Sequence, residues 1–324
     1  MKTKTKFMLA TAATATAAAG YYGLCQAAYN RFVKRGAGTS LQTEPQSDDS
    51  EKQQRLQQYQ AWYAGCSTDD LTLTSFDGLR LHAVQIANHP KQHRWAILVH
   101  GYGADSLAML PRAMEFDRRG YNVLLPDCRG HGLSEGSYVG FGWYDRLDLI
   151  GWINKLTELD AQCEIVLYGL SMGAAAVMMA CGEPLDSRCL CAIEDCGYTS
   201  VDQIAAFQLR KTYGLLTKPI SLGLGTLIRS RCGYSVWEAD CRTQLAKAQI
   251  PMMFIHGEED DFVPFDMVFE CYYACASEKE LYTVSQAGHA QACRNPNYYS
   301  RLFRFIDQAR KQRALLSQQR SQSR

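Results

Sequence analysis

Six short apolar runs, separated by stretches long enough for helices, constrain the fold of this 324-residue chain more than any other feature. Runs of this kind are typical of strands buried on both faces, and strands that alternate with helices form right-handed βαβ units. The runs are WAILVH (95–100), YNVLLP (121–126), EIVLY (164–168), LCAIE (190–194), PMMFIH (251–256) and LYTVS (281–285). The pattern predicts an α/β fold with a mostly parallel, doubly wound sheet, whose functional site lies at the carboxyl ends of the strands.

Two alternating runs precede the buried ones. LTLTSF (71–76) and LRLHAVQI (79–86) are joined by Asp77-Gly78, a dipeptide favoured in tight hairpin turns. The sheet is therefore expected to begin with an antiparallel hairpin.

The chain also divides into regions by composition. After a short N-terminal tail (1–6), residues 7–29 contain no charged residue and would span about 34 Å as a helix, enough for a hydrocarbon core of roughly 30 Å. An uncharged segment of this length favours a transmembrane anchor, with a cleavable signal peptide or a soluble Ala-rich helix as alternatives. Residues 30–58 are polar and read as a linker, and residues 59–324 form the folded domain.

The charge is distributed unevenly along the chain. The formal net charge is +1, but residues 1–35 carry +6 and residues 301–324 carry +6, which leaves −11 for residues 36–300. An acidic body argues against nucleic acid as a partner, whereas basic ends suggest a membrane. We expect a single-pass protein of the cell membrane with its folded domain outside the cytoplasm, or alternatively a secreted protein.

Gly169-Leu170-Ser171-Met172-Gly173 directly follows the run EIVLY and precedes the small-residue stretch AAAVMMA. A serine in a tight strand-to-helix turn needs small neighbours two residues away on either side. Its hydroxyl then lies at a helix N-terminus, where main-chain N–H groups favour developing negative charge. Ser171 is the candidate nucleophile.

A serine nucleophile needs a general base and an acid that orients it. Among seven histidines, His289 in the loop AGHA follows every plausible acid, as the order nucleophile, acid, histidine requires. Asp260, in the loop after PMMFIH, is the preferred acid. Asp195, after LCAIE, is the alternative, and Asp261 is more consistent with a turn or supporting carboxylate.

The first buried strand ends in His100-Gly101-Tyr102-Gly103, a glycine-rich turn that lets main-chain amides point into a site. The amides of Tyr102 and Met172 are the candidate oxyanion hole. No cofactor is expected, and no metal, because the close cysteine pairs lack a second pair at zinc-site spacing.

Five motifs, in chain order, carry a family resemblance: HGYG (100–103), DCRGHGLSEG (127–136), GLSMG (169–173), HGEEDDFVP (256–264) and AGHA (287–290). The sequence resembles the α/β-hydrolase superfamily, in particular bacterial membrane-anchored serine hydrolases related to lysophospholipases and S33-type serine aminopeptidases. The resemblance implies the triad Ser171, Asp260 and His289. It also implies a helical lid at about 197–249, whose apolar side chains either line an acyl pocket or pack on the body. These side chains are Phe207, Leu209, Leu215, Leu216, Leu222, Leu224 and Leu227.

The sequence thus predicts a serine hydrolase that cleaves small carboxylic esters or acyl lipids. A serine aminopeptidase of the same fold and a catalytically silent binding module are the alternatives. Fold alone does not decide among them.

Overall fold

The computed structural model describes residues 2–36 and 49–322 of the chain. Eight strands form one sheet in the order β1-β2-β4-β3-β5-β6-β7-β8, in which β1, β2 and β4 pair antiparallel and all other neighbours pair parallel. The strands are β1 (Thr68–Thr74), β2 (Arg80–Ile86), β3 (Arg94–Val99), β4 (Asn122–Pro126), β5 (Glu164–Leu170), β6 (Cys189–Asp195), β7 (Met252–Gly257) and β8 (Lys279–Val284). The predicted α/β class, mostly parallel sheet and initial antiparallel hairpin are confirmed.

Ten helices accompany the sheet in the described ranges, and they cover both of its faces with two separate apolar clusters. They are α1 (Lys2–Phe32), α2 (Asp49–Ala64), α3 (Leu110–Asp117), α4 (Asp145–Leu159), α5 (Met172–Ala180), α6 (Val201–Tyr213), α7 (Thr217–Cys232), α8 (Cys241–Leu245), α9 (Asp266–Ala274) and α10 (Tyr298–Gln322). The central strands β4, β6 and β7 are buried along their whole length, as helices on both faces require.

The segment expected to form a lid contains three helices. The helices α6 and α7 are joined by a short 3₁₀ turn at Gly214–Leu216 and pack against each other, whereas α8 packs on α5 and α9 in the body. We therefore use the name lid for α6 and α7, the two helices at the predicted position that do not pack as α8 does. The hydroxyl of Ser200 caps the start of α6 by accepting from the Gln203 amide.

The N-terminal region differs from the predicted anchor and linker. None of the helices in the part of the chain that the structure describes combines the length and apolar composition needed to cross a bilayer, so the transmembrane anchor predicted at residues 7–29 is not supported. The segment lacks charge, but it consists largely of Ala and Thr, which are only weakly apolar or polar. Its last residues, Cys25, Ala28 and Tyr29, are buried against the folded domain.

The residues that follow α1 are also part of the fold rather than a free linker. Val33 is 1% exposed, its carbonyl accepts from the Val139 amide, and the Arg35 guanidinium donates to the Gly132 and Ser134 carbonyls. The middle of the predicted linker, residues 37–48, lies outside the described residues. Its end belongs to the first part of α2, where residues 53–58 are exposed, and α2 packs on the body through Tyr59, Trp62 and Tyr63.

Candidate active site

Ser171 occupies a strained turn between β5 and α5. Its φ of 55° lies in the left-handed region that non-glycine residues rarely adopt, and strain of this kind concentrates at functional sites. A Cβ on Gly169 would overlap the Gly173 carbonyl, and a Cβ on Gly173 would overlap the Val99 carbonyl. Glycine is therefore needed at both positions, because the backbones of β5, α5 and the end of β3 approach too closely at this turn to leave room for a Cβ.

His289 and Asp260 reach Ser171 from two other loops at the carboxyl ends of strands. The Oγ of Ser171 lies 2.9 Å from the Nε2 of His289, and the Nδ1 of His289 lies 2.7 Å from the Oδ2 of Asp260. The structure thus joins the three predicted residues in one hydrogen-bonded chain, although 118 residues separate Ser171 from His289. A serine, an imidazole and a carboxylate in this order can activate the hydroxyl as a nucleophile.

Both oxygens of the Asp260 carboxylate have hydrogen-bonding partners. The Oδ1 accepts from the amides of Phe262 and Val263 at 2.9 and 2.8 Å, and the Oδ2 lies 3.3 Å from the Nε2 of His256 as well as against His289. Burial alone would raise the pKa of Asp260, but the hydrogen bonds from His256 and His289 hold it well below the usual range of an aspartate. The carboxylate is therefore ionised and fixed in direction.

Asp195, the alternative acid, has different partners. Its Oδ2 accepts from the hydroxyls of Tyr168 and Tyr298, each at 2.7 Å, and the Nε of Arg112 donates to the Tyr168 hydroxyl. The carboxyl belongs to a buried polar cluster on the α3 and α10 side of the sheet, away from the imidazole of His289. Asp261 is exposed, and its carbonyl accepts from Lys211 of the lid.

The HGYG turn lies against the nucleophile. A Cβ on Gly101 would meet the Ser171 Cβ at 3.4 Å, and both Tyr102 and Met172 line the cavity that contains Ser171. The imidazole of His100 ties this turn to the following loop by donating to the Gly101 carbonyl and accepting from the Cys128 amide. The structure thus brings the two candidate oxyanion residues beside Ser171 and assigns His100 a structural position.

A buried acid beside the triad was not predicted. Glu194 of β6 is 1% exposed, and burial raises its pKa to about 8. Its Oε2 accepts from the Gly197 amide, while its Oε1 and the Nδ1 of His256 have no partner among the described atoms. Burial opposes protonation of His256, but the hydrogen bond to Asp260 raises its pKa. In the sequence, Glu194 sits in an apolar run and gives no signal beyond being a charged residue inside a strand.

An apolar cavity, partly open to solvent, contains Ser171 and is lined in part by α6 and α7. Of the lid residues that the sequence left open, Leu209 and Leu224 line this cavity. Leu215, Leu216 and Leu222 are exposed instead, and Phe207 and Leu227 pack at the edge of the core. Some of these residues thus line the cavity and others pack on the body; that the cavity takes an acyl group stays a prediction.

One group of side chains has the composition of a metal site. Donor atoms of Cys196, Asp260 and His289 lie within 4.8 Å of one another. Asp260 and His289 are engaged with each other and with Ser171, so these donors are already used by the hydrogen-bonded chain.

Comparison with known proteins supports the α/β fold seen in the structure. Residues 90–193 match the family model described as serine aminopeptidase, S33. The chain is 28% identical over 197 residues to the uncharacterized protein YqkD of Bacillus subtilis, and the match covers 60% of this chain and 65% of that protein, just under two thirds. It is 23% identical over 244 residues to protein bem46 of Schizosaccharomyces pombe, covering 74% of this chain and 73% of that one.

Solved structures with a similar fold are named as esterases. An esterase of Pyrococcus furiosus superposes with a TM-score of 0.63 at 23% identity, covering 76% of this chain and 93% of that chain. Acetyl xylan esterase 1 of a Thermoanaerobacterium species superposes with a TM-score of 0.57 at 15% identity, covering 89% and 93%. At these identities the likeness concerns the fold. The match over residues 90–193 and the shared architecture confirm the resemblance that the motifs carry: this chain has the α/β-hydrolase fold.

Proposed function

We propose that the protein is a serine hydrolase that cleaves carboxylic esters through an acyl-enzyme. The observation that carries the proposal is the hydrogen-bonded chain from Asp260 through His289 to Ser171, with distances of 2.7 and 2.9 Å. Three residues from three strand-end loops meet in this order at a strained serine, and a turn serine without chemistry would not need these partners.

Each residue has a role in the proposed reaction. The Oγ of Ser171 attacks the ester carbonyl carbon while the Nε2 of His289 takes its proton, and Asp260 orients and stabilises the imidazolium. The amides of Tyr102 and Met172 stabilise the oxyanion of the tetrahedral intermediate. His289 then protonates the leaving alcohol oxygen, and the Ser171 acyl ester is hydrolysed by water that His289 activates.

The cavity favours an ester over an aminoacyl amide. An aminopeptidase must hold the charged ammonium group of its substrate, for which an acidic partner near the scissile bond is the favoured counterpart. Among the described residues that line the cavity, none carries a charge. This observation supports the esterase proposal over the aminopeptidase alternative.

The test compares substrates and nucleophile variants. We expect the intact protein to hydrolyse nitrophenyl esters faster than aminoacyl nitroanilides, and Ser171→Ala to lower kcat on the esters by about 10⁶-fold. Labelling by a fluorophosphonate should also disappear in Ser171→Ala. The exposed Ser187 provides a matched control, since Ser187→Ala should retain both activities.

Three outcomes would overturn the proposal. Ester turnover that survives in Ser171→Ala would remove Ser171 as the nucleophile. Faster turnover of the amides would replace the esterase with an aminopeptidase, and an intact protein that neither reacts with fluorophosphonate nor turns over any substrate would be a binding module.

A further inference from the structure

The cavity beside Ser171 is apolar because its polar side chains are turned to main-chain partners. Apart from Ser171, the polar side chains that line it are Tyr102, Tyr198 and Gln208. Each donates a hydrogen bond to a backbone carbonyl: Tyr102 to Phe32, Tyr198 to Phe141 and Gln208 to Phe262. A ligand part that fills this space exchanges water for hydrocarbon contacts, which favours an alkyl chain.

One wall of the cavity comes from outside the sheet and the lid. Phe32 is the last residue of α1, and Phe32 and the following Val33 line the cavity together with residues of α6 and α7. Val33 is 1% exposed and Phe32 is half-buried, so both side chains are packed within the structure.

Specific contacts hold α1 in this place. The Tyr21 hydroxyl donates to the Pro219 carbonyl at 2.7 Å, and the Tyr29 hydroxyl lies 3.6 Å from the Cys232 Sγ, so α1 is fastened near both ends of α7. Between these points the helices approach so closely that a Cβ on Gly223 would overlap the Cys25 Sγ. Small residues at a helix contact permit such an approach. The wall formed by α1 is therefore built into the fold.

We propose that the end of α1, Phe32 with the following Val33, is a specificity-determining wall of the acyl site, which limits the length of the alkyl chain that binds there. The inference rests on the proposed serine hydrolase, because the chain that fills the cavity is the acyl group attached to Ser171. The N-terminal helix is thus a part of the substrate site and sets how far an acyl chain extends beyond the nucleophile.

The test changes the size of one side chain in the full-length protein. Phe32→Trp narrows the cavity and Phe32→Ala enlarges it, and kcat/KM is measured on nitrophenyl acetate, octanoate and laurate. We expect Phe32→Trp to lower the octanoate-to-acetate ratio by about tenfold, since one methylene in an apolar pocket already changes kcat/KM by roughly that factor. Phe32→Ala should move the optimum towards laurate. Leu24→Trp and Leu24→Ala, on an exposed position of the same helix, should keep the wild-type profile.

A binding measurement separates this inference from the proposed function. Octanoic and acetic acids are titrated calorimetrically into Ser171→Ala and into the double variant that also carries Phe32→Trp, where no turnover is required. If the intact protein hydrolyses no ester but octanoic acid still binds and Phe32→Trp weakens it, the esterase proposal fails and the alkyl site stands. Parallel changes on all three esters in the Phe32 variants, or octanoic acid affinity indifferent to Phe32→Trp, would overturn the inference while esterase activity persists.

Discussion

Ser171 and Phe32 line the same cavity, but the chain brings them there by different routes. Ser171 stands in a strand-to-helix turn, and the glycines that permit this turn are two residues away on either side. Phe32 reaches the cavity because α1 packs on α7, a contact between residues about 200 positions apart. Local geometry thus fixes the reacting group, whereas long-range packing supplies a wall of the substrate site.

After loss of the Ser171 hydroxyl itself, the largest effect is expected at the carboxylate that orients His289. Asp260→Asn should lower kcat by about 10⁴-fold, because the amide no longer stabilises the imidazolium or its correct tautomer. Asp195→Asn is the control, since the Asp195 carboxyl bonds Tyr168 and Tyr298 instead. Steady-state kinetics with circular dichroism checks both variants. An equal loss in folded Asp195→Asn would contradict the assignment of the acid.

The next prediction concerns whether α1 belongs to the folded unit. Ala28→Asp buries an unpaired charge where α1 meets the domain and should lower the free energy of unfolding by about 3 to 5 kcal/mol. Ala27 is its exposed neighbour, and Ala27→Asp should change stability by about 0.5 kcal/mol or less. Urea unfolding followed by tryptophan fluorescence measures both. Two equally small effects would mean that α1 does not pack on the domain.

The next prediction concerns the pH dependence of the free energy of unfolding, to which the buried carboxyl of Glu194 contributes. Its unfolded carboxyl ionises near pH 4.3, whereas burial raises the folded pKa to about 8. Between these values the folded state keeps a proton that the unfolded state loses, so this group contributes stability at low pH that is lost as the pH rises. Glu194→Gln should become more stable relative to the wild type over this interval, by up to about 1.4 kcal/mol per pH unit.

Urea unfolding at pH 5, 6, 7 and 8 measures this difference. A constant difference between Glu194→Gln and the wild type would show that the carboxyl ionises normally in the fold.

The smallest effect is expected at Tyr102, whose side chain joins the turn beside Ser171 to the end of α1. Tyr102→Phe removes the hydrogen bond of 2.8 Å to the Phe32 carbonyl but keeps the Tyr102 amide in place. One such bond is worth about 0.5 to 1.5 kcal/mol, so kcat/KM on octanoate should fall about two- to tenfold. A loss of 100-fold or more, the size expected for an oxyanion donor, would mean that the hydroxyl takes part in the reaction.

The sheet and the site were predictable because their signals are local. Buried strands read as continuous apolar runs, and G-x-S-x-G combines a backbone requirement with a chemical one in five residues. The order of the strand-end loops then left His289 and Asp260 as the preferred partners. Their meeting at Ser171 in the structure follows from parallel strands, whose carboxyl ends lie at one edge of the sheet.

The N-terminal region was not predictable in the same way. An uncharged Ala-rich segment has the length of a membrane span, and nothing local distinguishes that from a helix whose end packs on a lid. The deciding features, Gly223 against Cys25 and Tyr21 at Pro219, exist only once α7 is folded beside α1. The predicted location outside the cytoplasm stays a prediction.

The central claim is that Ser171 and the last turn of α1 share one acyl site. A fluorophosphonate with an octyl chain that ends in a diazirine tests it directly: the reagent is allowed to react, the protein is irradiated, and the adducts are mapped by mass spectrometry. We expect phosphonylation of Ser171 and a photo-crosslink to cavity residues that include Phe32 or Val33. Absence of the Ser171 adduct, or crosslinks confined to residues outside the cavity, would contradict the account.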